Sequence, residues 1–386
     1  RKQDTQEHDP QEHDPQEHDP HETAVLTIDL DALANNYVDL CSRTKPAECA
    51  AVVKADAYGL GMAEAVGVLW RCGCRTFFVA TVHEGIELRA LLPQAAIYVL
   101  NGLVSGTAAT FHAQELRPVL NSAAEVHEWA AYCNYARKTL PCALHVDTGM
   151  NRLGLSEADL DEITGIATLW ETIALALVMS HLACADDASH TKNAQQRTQF
   201  DVLRIRLPDA LTSLANSAGI LLGRDYHYDL VRPGVALYGG HPQRKGDNPF
   251  RPVVHLMGRI LQIRNASEGE TVGYGATRTL KRQTRIAVVS AGYADGLFRT
   301  LSAADGEEGL TAYIGPYAVQ VLGRVSMDLI SVDITGVPEE LARRGAWVEL
   351  LGPNVSAHAL AAQAGTIDYE VLTSLGARAT RRYIGG

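Results

Sequence analysis

Cys49-Ala50-Ala51-Val52-Val53-Lys54-Ala55-Asp56-Ala57-Tyr58-Gly59 reads as a short buried strand followed at once by a lysine and a turn. Working outward from it, short apolar runs alternate with longer amphipathic segments from about Ala24 onward, the rhythm of βα units. The predicted strands are 49–53, 76–80, 96–100, 116–120, 143–146, 173–180, 211–215 and 229–231. Helical spacing lies between them, for example over 63–71, 122–137 and 156–169, the last opening with Ser156 and Asp159 at capping-box spacing. Eight strands separated by helices over roughly 200 residues are the number that closes a (β/α)8 barrel, a fold of about 250 residues.

After about residue 250 the rhythm changes to strand-like runs broken by glycine, at 254–263, 285–289, 317–322 and 329–334, and helical periodicity largely disappears. The expected fold is therefore α/β, a TIM-type barrel over 24–250 followed by a mainly β domain over 251–386. The run 25–29, which precedes the first barrel helix, is expected to join that second domain. Residues 6–20 are three copies of Gln-Glu-His-Asp-Pro, with nothing apolar to bury, so 1–23 is expected to be a disordered tail. Its spaced histidines His8, His13, His18 and His21 offer a metal only a weak, flexible set of donors, and no metal site is expected.

Composition bounds the partners. Of 386 residues, 46% are apolar and 20% charged, and no apolar run approaches the roughly 20 residues of a membrane span. The net charge of −11 argues against nucleic acid, which calls for a clustered positive face, and favours a small-molecule substrate. The seven cysteines (Cys41, Cys49, Cys72, Cys74, Cys133, Cys142, Cys184) are odd in number and lack C-x-x-C spacing, so reduced thiols in a cytoplasm are expected, with neither a disulfide framework nor a zinc site. The amino-terminal segment also lacks the basic start and apolar stretch of a signal peptide.

In a barrel the reactive groups collect at the carboxyl ends of the strands, which is where Lys54 falls. An ammonium there is desolvated, its pKa falls, and it becomes a nucleophile toward carbonyl compounds. Taken alone, Lys54 could equally be a lysine that snorkels to solvent beside a turn. The neighbouring motifs change that balance.

Nine blocks resemble the alanine racemase family, in its order and with matching spacing, from about residue 24 to the carboxyl terminus. They are 53–59 (VKADAYG), 147–154 (DTGMNRLG), 180–186 (SHLACAD), 216–219 (NSAG), 231–239 (VRPGVALYG), 273–277 (GYGAT), 292–296 (GYADG), 323–328 (GRVSMD) and 366–371 (TIDYEV). The resemblance implies a barrel that binds pyridoxal 5'-phosphate (PLP), a carboxyl-terminal β domain, alanine as substrate, and a homodimer with shared active sites. It further implies an isomerase supplying D-alanine for peptidoglycan.

Carried over residue by residue, Lys54 is similar to the lysine that bonds PLP covalently. Tyr58, Ser217 and Tyr369, with Asn216 and the backbone amides of Gly234 and Val235, match the holders of the cofactor and its phosphate, for which hydroxyls and N–H groups are suitable donors. The plainer alternatives are core packing for the tyrosines and a helix cap for Ser217. Arg232 resembles the arginine that faces the pyridine nitrogen. A guanidinium does not give up its proton, so the ring stays a modest electron sink, which suits reversible proton removal at Cα. Its plainer alternative is an ion pair with Asp229. His181 matches the partner of that arginine, and Arg152 the residue near the cofactor's phenolic oxygen and the substrate.

Racemisation needs a proton-transfer group on each face of Cα. Lys54 serves one face, and Tyr274 resembles the catalytic tyrosine of the other, flanked by glycines that permit close approach. A phenol acts as a base only where cations or hydrogen bonds favour its anion. The plainer alternative is a turn tyrosine packed on the β domain. In the family this tyrosine, and the residues matching Met327 and Asp328, enter from the partner subunit, while Tyr293 and Arg299 resemble residues of the substrate channel.

The chain also departs from the family. His145 stands where many members carry a carbamylated lysine, so Arg152 is expected to be steadied there by a neutral imidazole or an anion. Leu60 replaces a common histidine, and Asp368 a common proline or asparagine. Four rival readings are a serine racemase, a barrel-type PLP amino-acid decarboxylase, a non-catalytic PLP carrier, and a barrel with no cofactor at all. Arg232 disfavours the decarboxylase, which is expected to place an acid at the pyridine nitrogen. Tyr274 disfavours the carrier, which needs no second base.

Overall fold

The computed structural model describes residues 19–386. The repeated tail, with His8, His13 and His18, lies almost wholly outside the described residues. Where it comes into view, the Glu22 N–H donates to the Asp19 carbonyl at 3.0 Å and the Glu22 carboxylate meets Arg382.

All eight expected barrel strands form. They are Glu48–Cys49 continuing into Ala51–Val52, then Thr76–Val79, Ala96–Val99, Arg117–Leu120, Pro141–His145, Ala174–Met179, Leu211–Ser213 and Leu230–Val231. Every paired neighbour is parallel. The ring closes through backbone bonds: Asp229 N–H to Thr212 O (3.0 Å) and Arg232 N–H to Ala215 O (2.9 Å) on one side, Ala50 N–H to Val231 O (3.0 Å) and Val52 N–H to Pro233 O (2.9 Å) on the other. Residues on both faces of these strands, such as Val53, Phe77, Phe78, Val119 and Leu144, are fully buried, as strands covered on both faces require.

Two sequence expectations differ from the structure. The helix expected over 156–169 is Glu157–Thr164, with the Ser156/Asp159 capping box present, followed by a separate turn Leu169–Thr172. The interruption falls at Gly165, the poorest helix former after proline. The second domain also carries helices, Ala357–Ala364 and Asp368–Thr373. Both are too short for a 3.6-residue periodicity to register.

The β domain is organised on the long strand Val254–Ala266. Its first half pairs antiparallel with Ala24–Asp29 and with Trp347–Leu351, and after an irregularity at Ile260/Gln262 its second half pairs with Thr284–Ser290. Ala24–Asp29 also pairs in parallel with the last strand, Thr380–Ile384, so the start and end of the described chain lie side by side in this sheet. Asp29 then caps helix Leu30–Thr44, accepting from the Ala32 N–H at 2.8 Å, and that helix leads into the barrel.

Two contacts bring this domain onto the Lys54 turn. The Tyr383 hydroxyl donates to the Leu60 carbonyl at 2.9 Å. At Gly59, whose φ is +84°, a Cβ would stand 2.8 Å from the Leu372 carbonyl of helix Asp368–Thr373, so both torsion and space select glycine. Leu60, the departure noted above, is buried beside this junction.

Asn36, 2% exposed, joins the layers: its amide donates to Leu237 O (3.1 Å) and Arg251 O (2.9 Å) and its carbonyl accepts from Arg251 N–H (2.8 Å). Asn36→Ala strands these buried groups, so urea unfolding is expected to show a loss of about 2–4 kcal/mol.

Candidate active site

Lys54 stands at the carboxyl end of the first barrel strand, half buried. Its pKa is lowered from the ordinary lysine value by burial first and by the Arg152 charge second, with Glu84 partly opposing. The next four residues, Ala55, Asp56, Ala57 and Tyr58, all hold left-handed torsions, with φ between 52° and 58°. Such torsions cost a non-glycine residue roughly 1–2 kcal/mol, so the turn must be held from outside. Glu84 does so with one oxygen accepting from Ala55 N–H (2.7 Å) and the other from Ala80 N–H (2.7 Å) and Thr81 N–H (3.1 Å), and Asp56 accepts from Met62 N–H (2.7 Å).

This turn brings Tyr58 under the seventh and eighth strands. Its ring lies 4.8 Å from that of Tyr238 and 6.1 Å from that of Tyr369. Its hydroxyl approaches Gly234 so closely that a Cβ there would sit 2.1 Å away. Burial raises the pKa of both Tyr58 and Tyr369, that of Tyr369 to about 12, so both are hydroxyl donors at neutral pH. Ser217 is not a helix cap: Asn216 has that role, accepting from Gly219 N–H at 2.9 Å. The Ser217 oxygen instead accepts from the N–H groups of Gly234 (2.9 Å) and Ala236 (3.2 Å), and the Val235 N–H between them has no acceptor among the described residues. Three hydroxyls and three convergent amides suit an anion.

Arg232 is buried and does not pair with Asp229, whose carboxylate is taken by the Thr212 amide (2.8 Å) and hydroxyl (2.5 Å). The guanidinium donates instead to the Ser213 hydroxyl and to Ser180 O (2.6 Å). Burial lowers its pKa, to about 9, which leaves it charged at pH 7. His181 stands in the field of Arg232, Arg152, His145 and Lys54 and, mainly through burial, has a pKa well below the usual histidine value. His145 is neutral for the same reasons, its pKa lowered to about 4 by burial and then by Arg232, with Asp147 opposing. Its Nδ1 bonds Asn121 Oδ1 at 2.9 Å, which places the proton on Nδ1. Arg152 itself is exposed, close enough to act electrostatically on Lys54 and both histidines.

Sequence reasoning missed Glu84, Asn121, Ser213 and Gln196. Gln196, buried on helix Lys192–Arg204, donates to Thr148 Oγ1 (3.0 Å) and His181 O (2.9 Å), which ties the two loops that carry Arg152 and His181. Only Glu84 left a sequence signal, the capping box it forms with Thr81.

A second group of expected residues lies apart, on the β domain. Tyr274 is 72% exposed between Gly273 and Gly275, both with positive φ, and among the described residues its side chain makes no hydrogen bond or ring contact. The alternative of a packed turn tyrosine is therefore not what the structure holds. Tyr293 (44% exposed) and Met327 (53%) lie on two segments joined by the backbone bonds Tyr293 N–H to Ser326 O and Ala294 N–H to Met327 O, both 3.0 Å. Asp328 pairs with Arg378, which also binds the buried Asp295 at 2.6 Å. Arg299 lines a cavity of about 350 Å³ with Thr277, Ser302, Glu307 and Arg324. Among the described residues, no hydrogen bond, ion pair or ring contact joins this group to Lys54.

Fold and first group together define a barrel that presents a lysine of lowered pKa beside an anion cradle. The chain belongs to the alanine racemase family: the family's N-terminal domain matches residues 28–242 and its C-terminal domain residues 253–383. It is 48% identical to the alanine racemase of Rhodospirillum rubrum, over 94% of this chain and 96% of that protein. Two Agrobacterium fabrum alanine racemases, one biosynthetic and one catabolic, are 46% and 45% identical, each over 93% of this chain and over 93% and 92% of their own. The crystal structure of the Bartonella henselae alanine racemase with covalently bound pyridoxal phosphate superposes with a TM-score of 0.90 at 40% identity, covering 94% of this chain and 99% of that one.

The depressed His145 pKa sets a pH test. The unfolded chain takes this proton near pH 6.5 and the folded one only near pH 4, so stability present above pH 6.5 is lost as pH falls through that interval, by about 3 kcal/mol. Urea unfolding of His145→Gln against the unaltered protein is expected to diverge only in that window.

Proposed function

We propose that the protein interconverts L-alanine and D-alanine with PLP held at Lys54, and that Lys54 and Tyr274 transfer protons on opposite faces of Cα. The observation that carries this reading is the juxtaposition of Lys54, its pKa lowered, with the cradle of Tyr58, Ser217, Gly234 and Val235. The residues fit the cofactor: an amine for its aldehyde, hydroxyls and amides for its phosphate, and the buried Arg232 for its ring nitrogen. PLP, when bound, supplies a ring that withdraws electrons from the Cα–H bond.

The rest falls to the chain's own side chains. Tyr58, Ser217, Tyr369 and the Gly234 and Val235 amides hold the phosphate, with Asn216 fixing the turn that carries Ser217. Arg232 keeps its proton, which limits electron withdrawal and favours return of the proton to Cα over other outcomes. His181 supports Arg232 as a neutral imidazole. Arg152 serves the phenolic oxygen and the substrate carboxylate, with Met327 and Asp328 completing the substrate pocket. The Lys54 Nζ takes or returns a proton on one face and the Tyr274 Oη on the other, the roles exchanging with direction.

Because Tyr274 is exposed and lacks any contact to the Lys54 group, we infer a homodimer in which each β domain completes the partner's site. Tyr293 and Arg299 then border the channel. The barrel and β domains divide near residue 250. Among the described residues no helix is long and apolar enough to cross a membrane. We place the enzyme in the cytoplasm, supplying D-alanine for peptidoglycan.

The holoprotein is expected to bring L-alanine in deuterated water to zero optical rotation with deuterium at Cα. A visible cofactor band without turnover of alanine overturns the substrate assignment. Tyr274→Phe is expected to retain the cofactor yet slow exchange from one enantiomer by roughly 10²- to 10⁴-fold more than from the other. Equal, near-normal exchange from both removes Tyr274 from the mechanism.

A further inference from the structure

We propose that Asp368 is a positioning residue for the cofactor phosphate, acting through Tyr369. This rests on the reading above that the cradle holds PLP. Asp368 is 4% exposed and opens helix Asp368–Thr373, immediately before Tyr369. Both of its oxygens are engaged, by two different segments. Oδ2 accepts from the His241 N–H at 2.7 Å, and Oδ1 faces the His358 Nδ1 at 3.1 Å.

His241 belongs to the loop that leaves the cradle. The preceding Gly240 N–H donates back to Val235 O at 3.1 Å, and a Cβ on Gly240 would meet Val235 Cγ2 at 2.4 Å and Asp368 Cβ at 3.3 Å. His358 sits on helix Ala357–Ala364 of the β domain, its ring 4.9 Å from that of His241. Asp368 is thus the link in a chain of contacts from the Val235 amide to the Tyr369 hydroxyl. These two donors come from different parts of the fold and must converge on one anion.

Packing alone does not hold this link. A cavity of about 360 Å³ opens on the seam, walled by Tyr238, His241, Phe250, Leu351, His358 and Asp368. Val371 and Leu372 anchor the rest of this helix in the core and against the Gly59 turn, so with the carboxylate gone it is the end beside the cavity, which carries Tyr369, that has space to shift, and the two donors lose their common focus. A geometry that close-packed side chains impose elsewhere is here imposed by two hydrogen bonds.

The test compares full-length Asp368→Ala and Asp368→Asn with the unaltered protein. Retention of PLP on dialysis is followed by re-uptake of PLP, and of pyridoxal, which carries the same aldehyde without the phosphate. For Asp368→Ala we expect PLP affinity to fall roughly 10- to 100-fold while pyridoxal affinity stays within about 2-fold, the scale of one lost charge-assisted hydrogen bond. Asp368→Asn keeps an acceptor for the His241 N–H and is expected to recover most of the loss. In a Tyr369→Phe background, Asp368→Ala is expected to add little. Equal weakening of PLP and pyridoxal, or of neither, overturns the proposal. Failure of the unaltered protein to take up PLP overturns the functional reading itself, and the proposal with it.

Discussion

The left-handed turn at Ala55–Tyr58 sets the geometry of the whole barrel mouth. It lets the chain leave a buried strand, present Lys54, and within four residues bring Tyr58 against Gly234, which follows the neighbouring eighth strand of the closed ring. Four unfavourable torsions are retained because four contacts brace them: Glu84 from the second βα unit, Asp56 from within, and helix Asp368–Thr373 and Tyr383 from the β domain. The β domain is therefore part of the site even in a single chain, since its last two elements close over the turn that carries the lysine.

Charge explains the remaining arrangement. Lys54, Arg152 and Arg232 crowd positive charge into one end of the barrel, and the two histidines among them stay neutral because a further proton would meet both desolvation and like charge. Arg232 tolerates burial because a hydroxyl and a carbonyl accept its protons, without a carboxylate to neutralise it. A cluster with positive charge in excess, next to amides that point inward, is complementary to an anionic ligand. His145 contributes to this balance by occupying a place close to both arginines without adding charge.

Much of this was legible in the chain. Short buried strands alternating with amphipathic helices are local patterns, so all eight barrel strands could be read, together with the four β-domain runs at 254–263, 285–289, 317–322 and 329–334 and the capping box at Ser156. The six-residue helix that carries Tyr369 was not, because one and a half turns produce no periodicity. The motif blocks located Lys54, Tyr58, Ser217 and Arg232. They did not disclose the partners, Glu84, Asn121, Ser213 and Gln196, that orient these groups or their loops, since each lies 15 or more residues along the chain from the group it serves. Asp368, which as a motif position touched no chemistry, proved to bond two segments more than one hundred and about ten residues away.

The sequence by itself determined the order of strands and helices, the change of rhythm near residue 250, and which residue types stand at the strand ends, because these depend on side-chain periodicity and on neighbours a few residues apart. Only the tertiary structure decided the protonation of His145 and His181, the partners of Arg232, the strain after Lys54 and the isolation of Tyr274 from the Lys54 group. Desolvation, Coulomb fields and hydrogen-bond geometry are set by atoms brought together from distant positions in the chain, and no local pattern encodes those distances.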